Sequence, residues 1–90
     1  NTKVVDVYRE LKEFGANVDV YDYEADPVEV RKEYGIDIID KINTTYSGIM
    51  LAVAHKKFAS IDLDSIKENS RTVVFDLKGF FPRNQVDSRL

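Results

Sequence analysis

A continuous apolar run in the middle of the chain places the tightest limit on the fold. Residues 48–54 read Gly-Ile-Met-Leu-Ala-Val-Ala and are bounded by Ser47 and His55. The run is much shorter than the ~20 residues that a membrane-spanning helix needs. Short apolar runs between polar residues are typical of parallel strands that helices cover on both faces. We therefore expect residues 48–54 to form the innermost strand of an α/β domain.

The segment at the start of the chain predicts a helix followed by a strand. Apolar side chains recur every three or four residues over residues 1–14, which places them on one helical face. Asn1 or Thr2 is a suitable N-cap, and Gly15 is a suitable left-handed residue after the last turn. Polar and apolar residues then alternate over residues 17–22, the period of a half-buried strand.

A second helix is predicted, with a capping residue at its start and a glycine at its end. Asp26 is a good N-cap, Pro27 suits the first helical position, and a glutamate lies three residues after the cap. Gly35 ends the helix. The brief apolar segment 36–39 then has the length of an edge strand.

After the central run, the sequence predicts one more helix and one more strand. Asp62 or Asp64 caps a short helix that runs through residue 67. Residues 72–77 form the last predicted strand. The tail, residues 80–90, has no clear period and is expected to lie along the surface.

This order of elements predicts a single three-layer, Rossmann-like α/β domain over residues 1–90, with a mostly parallel sheet. Such a domain normally begins with the strand at the centre of its sheet, whereas this chain begins with a helix. We expect that strand to precede Asn1. Without it, two strand edges need other hydrogen-bond partners.

Composition excludes several classes of function. Ninety residues can build only one core, and the chain has no cysteine and one histidine, which excludes disulfides, a thiolate nucleophile and a multi-histidine metal centre. A net charge of -3 argues against nucleic-acid binding through diffuse phosphate attraction. No segment has the character of a signal peptide or a membrane span. We expect a cytoplasmic protein that binds neither nucleic acids nor membranes.

Acidic residues at predicted strand ends have two interpretations. Asp22 lies where dinucleotide-binding folds place the acid that holds a ribose hydroxyl, but no G-x-G-x-x-G precedes it. A polar residue that closes a strand into a turn is the favoured interpretation. Asp22 and Asp76 together also resemble part of a receiver-type Mg²⁺ pocket, although the central strand ends at His55 and not at an acceptor aspartate.

His55, Lys78 and Gly79 are the candidate ligand-binding residues. Each follows a predicted strand, at the carboxyl edge where α/β sheets bind ligands. Lys78 offers a point charge for a phosphate or a sugar carboxylate, and Gly79 would let a ligand approach the backbone. A solvated lysine before a turn glycine is an equally good interpretation. A histidine at this position more often bonds a loop group, and Lys56 and Lys57 are expected to be solvated.

Several segments together resemble one family, the nucleotide-sugar dehydrogenases of the UDP-glucose/GDP-mannose dehydrogenase group, in their C-terminal domain. The resemblance covers nearly the whole chain. It is carried by residues 1–6, 15–22, 33–36, 51–58, 75–79 and 86–90. The pattern is most similar to bacterial enzymes that oxidise UDP-N-acetylhexosamines (glucosamine, galactosamine or mannosamine) for capsule or O-antigen synthesis.

The resemblance implies a homo-oligomeric, NAD-dependent parent enzyme that oxidises the C6 alcohol of a UDP-sugar to a carboxylate through a cysteine thioester. It also implies that the NAD fingerprint and the cysteine lie in other domains, so that this chain alone binds no NAD and is inactive. The family's Phe-Lys segment and its Arg would precede Asn1. Lys78 corresponds to a basic residue near the UDP-sugar, with Gly79 and His55 as weaker candidates for shape and loop geometry. No catalytic residue or metal ligand is implied here. The alternative is a regulatory or interaction module with a Rossmann-like sheet.

Overall fold

The computed structural model describes the backbone of residues 2–89 and the side chains of residues 3–88. The chain forms two compact units, Asn1–Ile42 and Asn43–Leu90. Each unit combines helices with parallel strands. The predicted α/β class with parallel strand pairing is therefore confirmed.

The first unit begins with helix α1, Thr2–Glu13, which ends in a glycine-dependent cap. Gly15 has a φ of 91°. Its N–H donates to the carbonyl of Lys12, and the next N–H, of Ala16, donates to Leu11. These two bonds form a Schellman motif, which satisfies carbonyls that the helix leaves unpaired. The stop predicted at Gly15 is confirmed, whereas the N-cap predicted at Asn1 or Thr2 lies outside the described side chains.

The rest of the first unit is a strand, a helix and a second strand. Strand β1, Val20–Tyr21, pairs in parallel with β2, Ile38–Ile39, and α2, Pro27–Tyr34, connects them. Asp26 caps α2 by accepting a hydrogen bond from Val28 N–H at 2.9 Å. Gly35 ends α2 with a φ of 71° and donates to the carbonyl of Arg31. Both predicted caps are confirmed, but the strands are shorter than the alternating patterns indicated.

The second unit contains a three-stranded parallel sheet. Strands β3, Gly48–Leu51, β4, Val73–Asp76, and β5, Ser88–Arg89, lie side by side in that order. A 3₁₀ helix, Lys56–Ser60, and helix α3, Leu63–Ile66, connect β3 to β4. Asp62 occupies the N-cap position of α3, as predicted, but its side chain makes no capping hydrogen bond. A second 3₁₀ helix, Arg83–Gln85, precedes β5.

The apolar run at 48–54 is less buried than its composition indicates. Its strand ends at Leu51, and Met50 and Val53 remain 43% and 44% exposed. In the described sheet β4 is the middle strand, and β3 pairs with β4 alone. The prediction of an innermost strand covered on both faces is wrong for this sheet. Side chains alternate between the faces, and only the face of Leu51 and Val74 is buried.

The tail also differs from its prediction. It does not run along the surface throughout, since Phe81 is buried and β5 adds a strand to the sheet. Asp87 joins the tail to β4 through two hydrogen bonds. Its carboxylate accepts from Val74 N–H at 2.7 Å, and its own N–H donates to the Val74 carbonyl at 2.9 Å. Backbone pairing of this kind leaves no periodic signal in an eleven-residue tail.

Among residues 2–89, no helix combines the length and the apolar character that crossing a bilayer requires.

The bond between Asp87 and Val74 should contribute measurably to stability. Val74 is 1% exposed, so Asp87→Ala leaves a buried N–H without its partner. We expect the free energy of unfolding, measured by urea denaturation, to fall by about 1 kcal/mol. As a control, Asp64→Ala removes a carboxylate that pairs with Lys67 at the surface and should cost less than about 0.5 kcal/mol. Equal effects of the two substitutions would contradict this role of Asp87.

Candidate functional site

The carboxyl edge of strands β3 and β4 brings two of the predicted site segments together. The strands are parallel and in register, with Leu51 opposite Asp76. One further hydrogen bond, from Leu77 N–H to the Leu51 carbonyl at 3.0 Å, extends the pairing past the end of β4. The segments that carry His55 and Lys78 therefore leave the sheet at the same edge. This is the edge at which parallel α/β sheets bind ligands.

A buried carboxylate organises the turn that follows β4. Asp76 is fully buried, at 0% exposure. One carboxylate oxygen accepts a hydrogen bond from Lys78 N–H at 3.0 Å, and the other accepts from Phe81 N–H at 2.9 Å. Gly79 has a φ of 62°, in the left-handed region that favours glycine. The turn closes over Asp76, and Phe81 is buried at its far end.

The electrostatics of this turn keep Asp76 ionised. Burial raises the pKa of Asp76, but hydrogen bonds from the backbone N–H groups of Phe81, Lys78, Phe80 and Gly79 lower it further than burial raises it. The net result is a pKa below the ordinary value of 3.8. Backbone donors therefore compensate the buried negative charge, and no basic side chain is needed.

Lys78 and Gly79 lie on this turn, as the sequence predicted. The Lys78 side chain is exposed and forms no ion pair with any side chain among residues 3–88. Its backbone, in contrast, is fixed by Asp76. The turn thus presents a cation at the sheet edge from a main chain that hydrogen bonds to Asp76 hold in place. Gly79 contributes the positive φ that the turn requires.

His55 lies near the same sheet edge and organises its own loop. The sequence predicts that His55 directly follows the strand. In the structure, three residues separate His55 from the end of β3. Its Nδ1 accepts a hydrogen bond from Lys57 N–H at 3.1 Å, which caps the 3₁₀ helix at Lys56–Ser60. Its ring also meets Phe58 edge to face, with centroids 6.0 Å apart. These contacts are those of a histidine that bonds its own loop, and a role of His55 in a ligand site stays a prediction. Lys56 and Lys57 are exposed.

Asp22, in the first unit, closes a turn. One of its carboxylate oxygens accepts hydrogen bonds from Glu24 N–H at 2.9 Å and from Ala25 N–H at 3.4 Å. Beside it, a hydrogen bond with Tyr23 and burial raise the pKa of Tyr21 to about 12. The two tyrosine rings meet edge to face at 5.0 Å. The turn interpretation of Asp22 is confirmed.

The receiver-type hypothesis has no support in the structure. Within the described part of the chain, no three acidic or histidine side chains converge as ligands for a metal ion. The two aspartates of that hypothesis instead accept backbone hydrogen bonds, Asp22 in its turn and Asp76 at the end of β4.

Asp76 is the site residue that sequence reasoning assigned least well. The sequence pattern indicates Asp76 only as a metal ligand, whereas the structure makes it an acceptor for its own turn. A local signal was present in the order aspartate, leucine, lysine, glycine at a strand end. Aspartate side chains commonly accept from the N–H two residues later when the strand leads into a turn, and a following glycine supplies the positive φ.

Comparison with protein families identifies the group to which the chain is related. The model of the UDP-glucose/GDP-mannose dehydrogenase family, UDP binding domain, matches residues 1–83. The match includes the Asp76 turn with Lys78 and Gly79. The chain belongs to this family. The family resemblance read from the sequence is therefore confirmed.

Individual relatives agree with the family match. The chain is 36% identical over 93 aligned residues to the UDP-N-acetyl-D-glucosamine 6-dehydrogenase of Salmonella typhi and 38% identical over 93 to that of Pseudomonas aeruginosa. Each alignment covers 100% of this chain and 22% of the relative. Protein CapL of Staphylococcus aureus is 38% identical over 89 residues, which cover 97% of this chain and 21% of CapL. The chain thus spans about a fifth of these relatives. No solved structure matches it.

The buried carboxylate predicts a defined pH dependence of stability. Because folding lowers the pKa of Asp76, its ionised form stabilises the fold at pH values above its ordinary 3.8, and this contribution is lost as the pH falls through the folded-state value. We expect the free energy of unfolding to decrease below about pH 4, and Asp76→Asn to reduce that decrease. Urea denaturation between pH 7 and pH 3 measures both.

A matched control uses a second aspartate of the same unit. Asp62 is exposed and its side chain makes no capping bond, so Asp62→Asn should keep the wild-type slope of stability against pH. If Asp76→Asn and the wild type had the same slope, the ionised carboxylate would not be a stabilising group.

Proposed function

We propose that this chain is the domain that holds the UDP part of the substrate in an NAD-dependent UDP-N-acetylhexosamine 6-dehydrogenase. The observation that carries the proposal is the match to a UDP binding domain across residues 1–83, which includes the exposed Lys78 on its ordered turn. The parent enzyme oxidises the sugar C6 alcohol to a carboxylate for surface polysaccharide synthesis, in capsule or O-antigen pathways. Two relatives bear the name UDP-N-acetyl-D-glucosamine 6-dehydrogenase, which supports the hexosamine branch.

The proposed binding residues are Lys78, Gly79 and His55. Lys78 offers an ammonium to the negatively charged pyrophosphate of UDP, and its turn follows the sheet edge that suits ligand binding. Gly79 gives the turn its left-handed residue. His55 shapes the loop that follows the neighbouring strand, through its cap of the 3₁₀ helix. In this proposal Lys78 contacts the ligand, and the other two residues set the shape of the edge.

The residues described here do not fit NAD. Asp22, at the position of the ribose-binding acid, uses one carboxylate oxygen to bond the N–H groups of its own turn, and the sequence has no G-x-G-x-x-G. The cofactor therefore belongs to another part of the proposed enzyme, as does the catalytic cysteine, since this chain has none. No step of the proposed role of this chain involves NAD.

The remaining architectural predictions belong to the same proposal. We propose one three-layer, Rossmann-like domain over residues 1–90 in a cytoplasmic, homo-oligomeric enzyme, with its first strand ahead of residue 1. In the described residues, β1 pairs only with β2 and β3 only with β4, so each has an edge that a further strand would satisfy. The alternative, a regulatory or interaction module without nucleotide, is not favoured by a family model defined by UDP binding.

The role of Lys78 is tested by UDP binding to the intact protein. Lys78→Gln removes a charge-assisted contact worth about 1.5–3 kcal/mol, so calorimetry should show UDP affinity about tenfold weaker or more. Arg71→Gln is the matched control, because it removes one exposed positive charge at the opposite end of β4 and should leave the affinity within about twofold of wild type. Equal affinities for Lys78→Gln and the wild type would exclude Lys78 from the site.

The proposed reaction has its own test. Conversion of an alcohol to a carboxylate removes two hydrides, so the intact enzyme should form two equivalents of NADH for each UDP-N-acetylhexosamine consumed. Absorbance of NADH and mass spectrometry of the sugar product measure the ratio. UDP-glucose provides the comparison substrate and should react more slowly. If the intact protein binds UDP but reduces no NAD, the proposed dehydrogenase activity is contradicted and the proposed UDP binding is not.

A further inference from the structure

We propose that Asp76 is a positioning residue for UDP recognition, which fixes the main chain of Lys78 so that the lysine ammonium is the group that this turn offers to the ligand. The proposal rests on the proposed UDP site and names how that site is held. Asp76 lies behind the turn, fully buried, and would not touch UDP itself.

Two backbone N–H groups of the turn point inward, away from a ligand. Many anion sites use consecutive backbone N–H groups of a turn to hold a phosphate. Here the N–H groups of Lys78 and Phe81 point to the Asp76 carboxylate, at 3.0 and 2.9 Å. These two groups are committed to an internal carboxylate, so they are not available to hold a ligand phosphate.

Hydrogen bonds and burial hold the turn on both sides of Lys78. Before Lys78, the Leu77 N–H donates to the Leu51 carbonyl at 3.0 Å, which continues the sheet. After it, Phe81 is buried and its ring meets Phe80 edge to face at 5.4 Å. Asp76 connects both ends, because one oxygen holds Lys78 and the other holds Phe81. A lysine on so restrained a backbone loses less conformational entropy on binding than one on a loose loop.

These contacts predict that the effects of Asp76 and Lys78 on UDP affinity are coupled. If Asp76 acts through Lys78, the changes that the two substitutions cause in the free energy of UDP binding must not be additive. Loss of a residue that only stabilises the fold would lower the fraction of folded molecules and so weaken the apparent UDP affinity by the same factor with or without Lys78. It would not change the Kd of the folded molecules in a manner that depends on Lys78.

The experiment is a double-mutant cycle in the intact protein, with UDP as the probe. We expect Asp76→Asn to weaken UDP binding about fivefold to tenfold at an unchanged stoichiometry, since the amide replaces one acceptor oxygen with a donor facing an N–H. The double variant Asp76→Asn with Lys78→Gln should bind no more weakly than Lys78→Gln alone. Arg71→Gln combined with Asp76→Asn supplies the additive comparison.

The outcomes separate the two proposals. If Lys78→Gln binds UDP as wild type does, the proposed role of Lys78 fails, and positioning fails with it. If Lys78→Gln weakens binding but Asp76→Asn does not, or if their effects multiply, only the positioning role is overturned. If Asp76→Asn does not fold, Asp76→Glu decides, because it keeps a carboxylate but moves it one methylene away from its position beside the N–H groups of Lys78 and Phe81. That variant should weaken UDP binding only when Lys78 is present, and unchanged binding would overturn the proposal.

Discussion

The buried carboxylate of Asp76 is the interaction on which the candidate site depends. A fully buried charge is costly unless it is satisfied, and here backbone N–H groups satisfy it from one side of a tight turn. This requirement determines the path of the chain. The main chain must wrap around the carboxylate, Gly79 must take a left-handed conformation, and Phe81 is brought into the interior. The exposed lysine on that turn is consequently held by the core of its unit.

Asp87, like Asp76, uses its carboxylate to accept a hydrogen bond from a backbone N–H group. The Val74 N–H is buried at the middle strand of the sheet, and the Asp87 carboxylate accepts its hydrogen bond before β5 begins. Thr72, also buried, donates to the Tyr46 carbonyl at 2.7 Å at the other end of β4. Short polar side chains thus complete the hydrogen bonding of a strand whose ladders are only two to four residues long. Such a sheet depends on side chains wherever the backbone pairing ends.

Local signals in the sequence were sufficient for three of the predicted helix ends and for the parallel α/β class. Gly15, Asp26 and Gly35 cap as predicted, because capping depends on residues within one turn of the helix. The extent of burial was not predictable. Met50 lies in an apolar run and is 43% exposed, since burial is set by which elements cover a strand. The pairing of β5 depends on contacts between distant residues, which leave no local pattern. For the site, charge and strand position predict Lys78 as a ligand-binding residue, which stays a proposal, and the structure shows that Asp76 holds its turn.

The same geometry limits how this domain can recognise a nucleotide. The Lys78 and Phe81 N–H groups that bond Asp76 cannot also bind a phosphate, so in the proposed site this turn offers the Lys78 ammonium, a point charge without directional preference. A point charge attracts a pyrophosphate but does not distinguish one sugar from another. In the proposed enzyme, discrimination among UDP-N-acetylhexosamines must therefore come from residues other than this turn. A separation of anchoring from sugar recognition is consistent with a chain that matches about a fifth of the length of its dehydrogenase relatives.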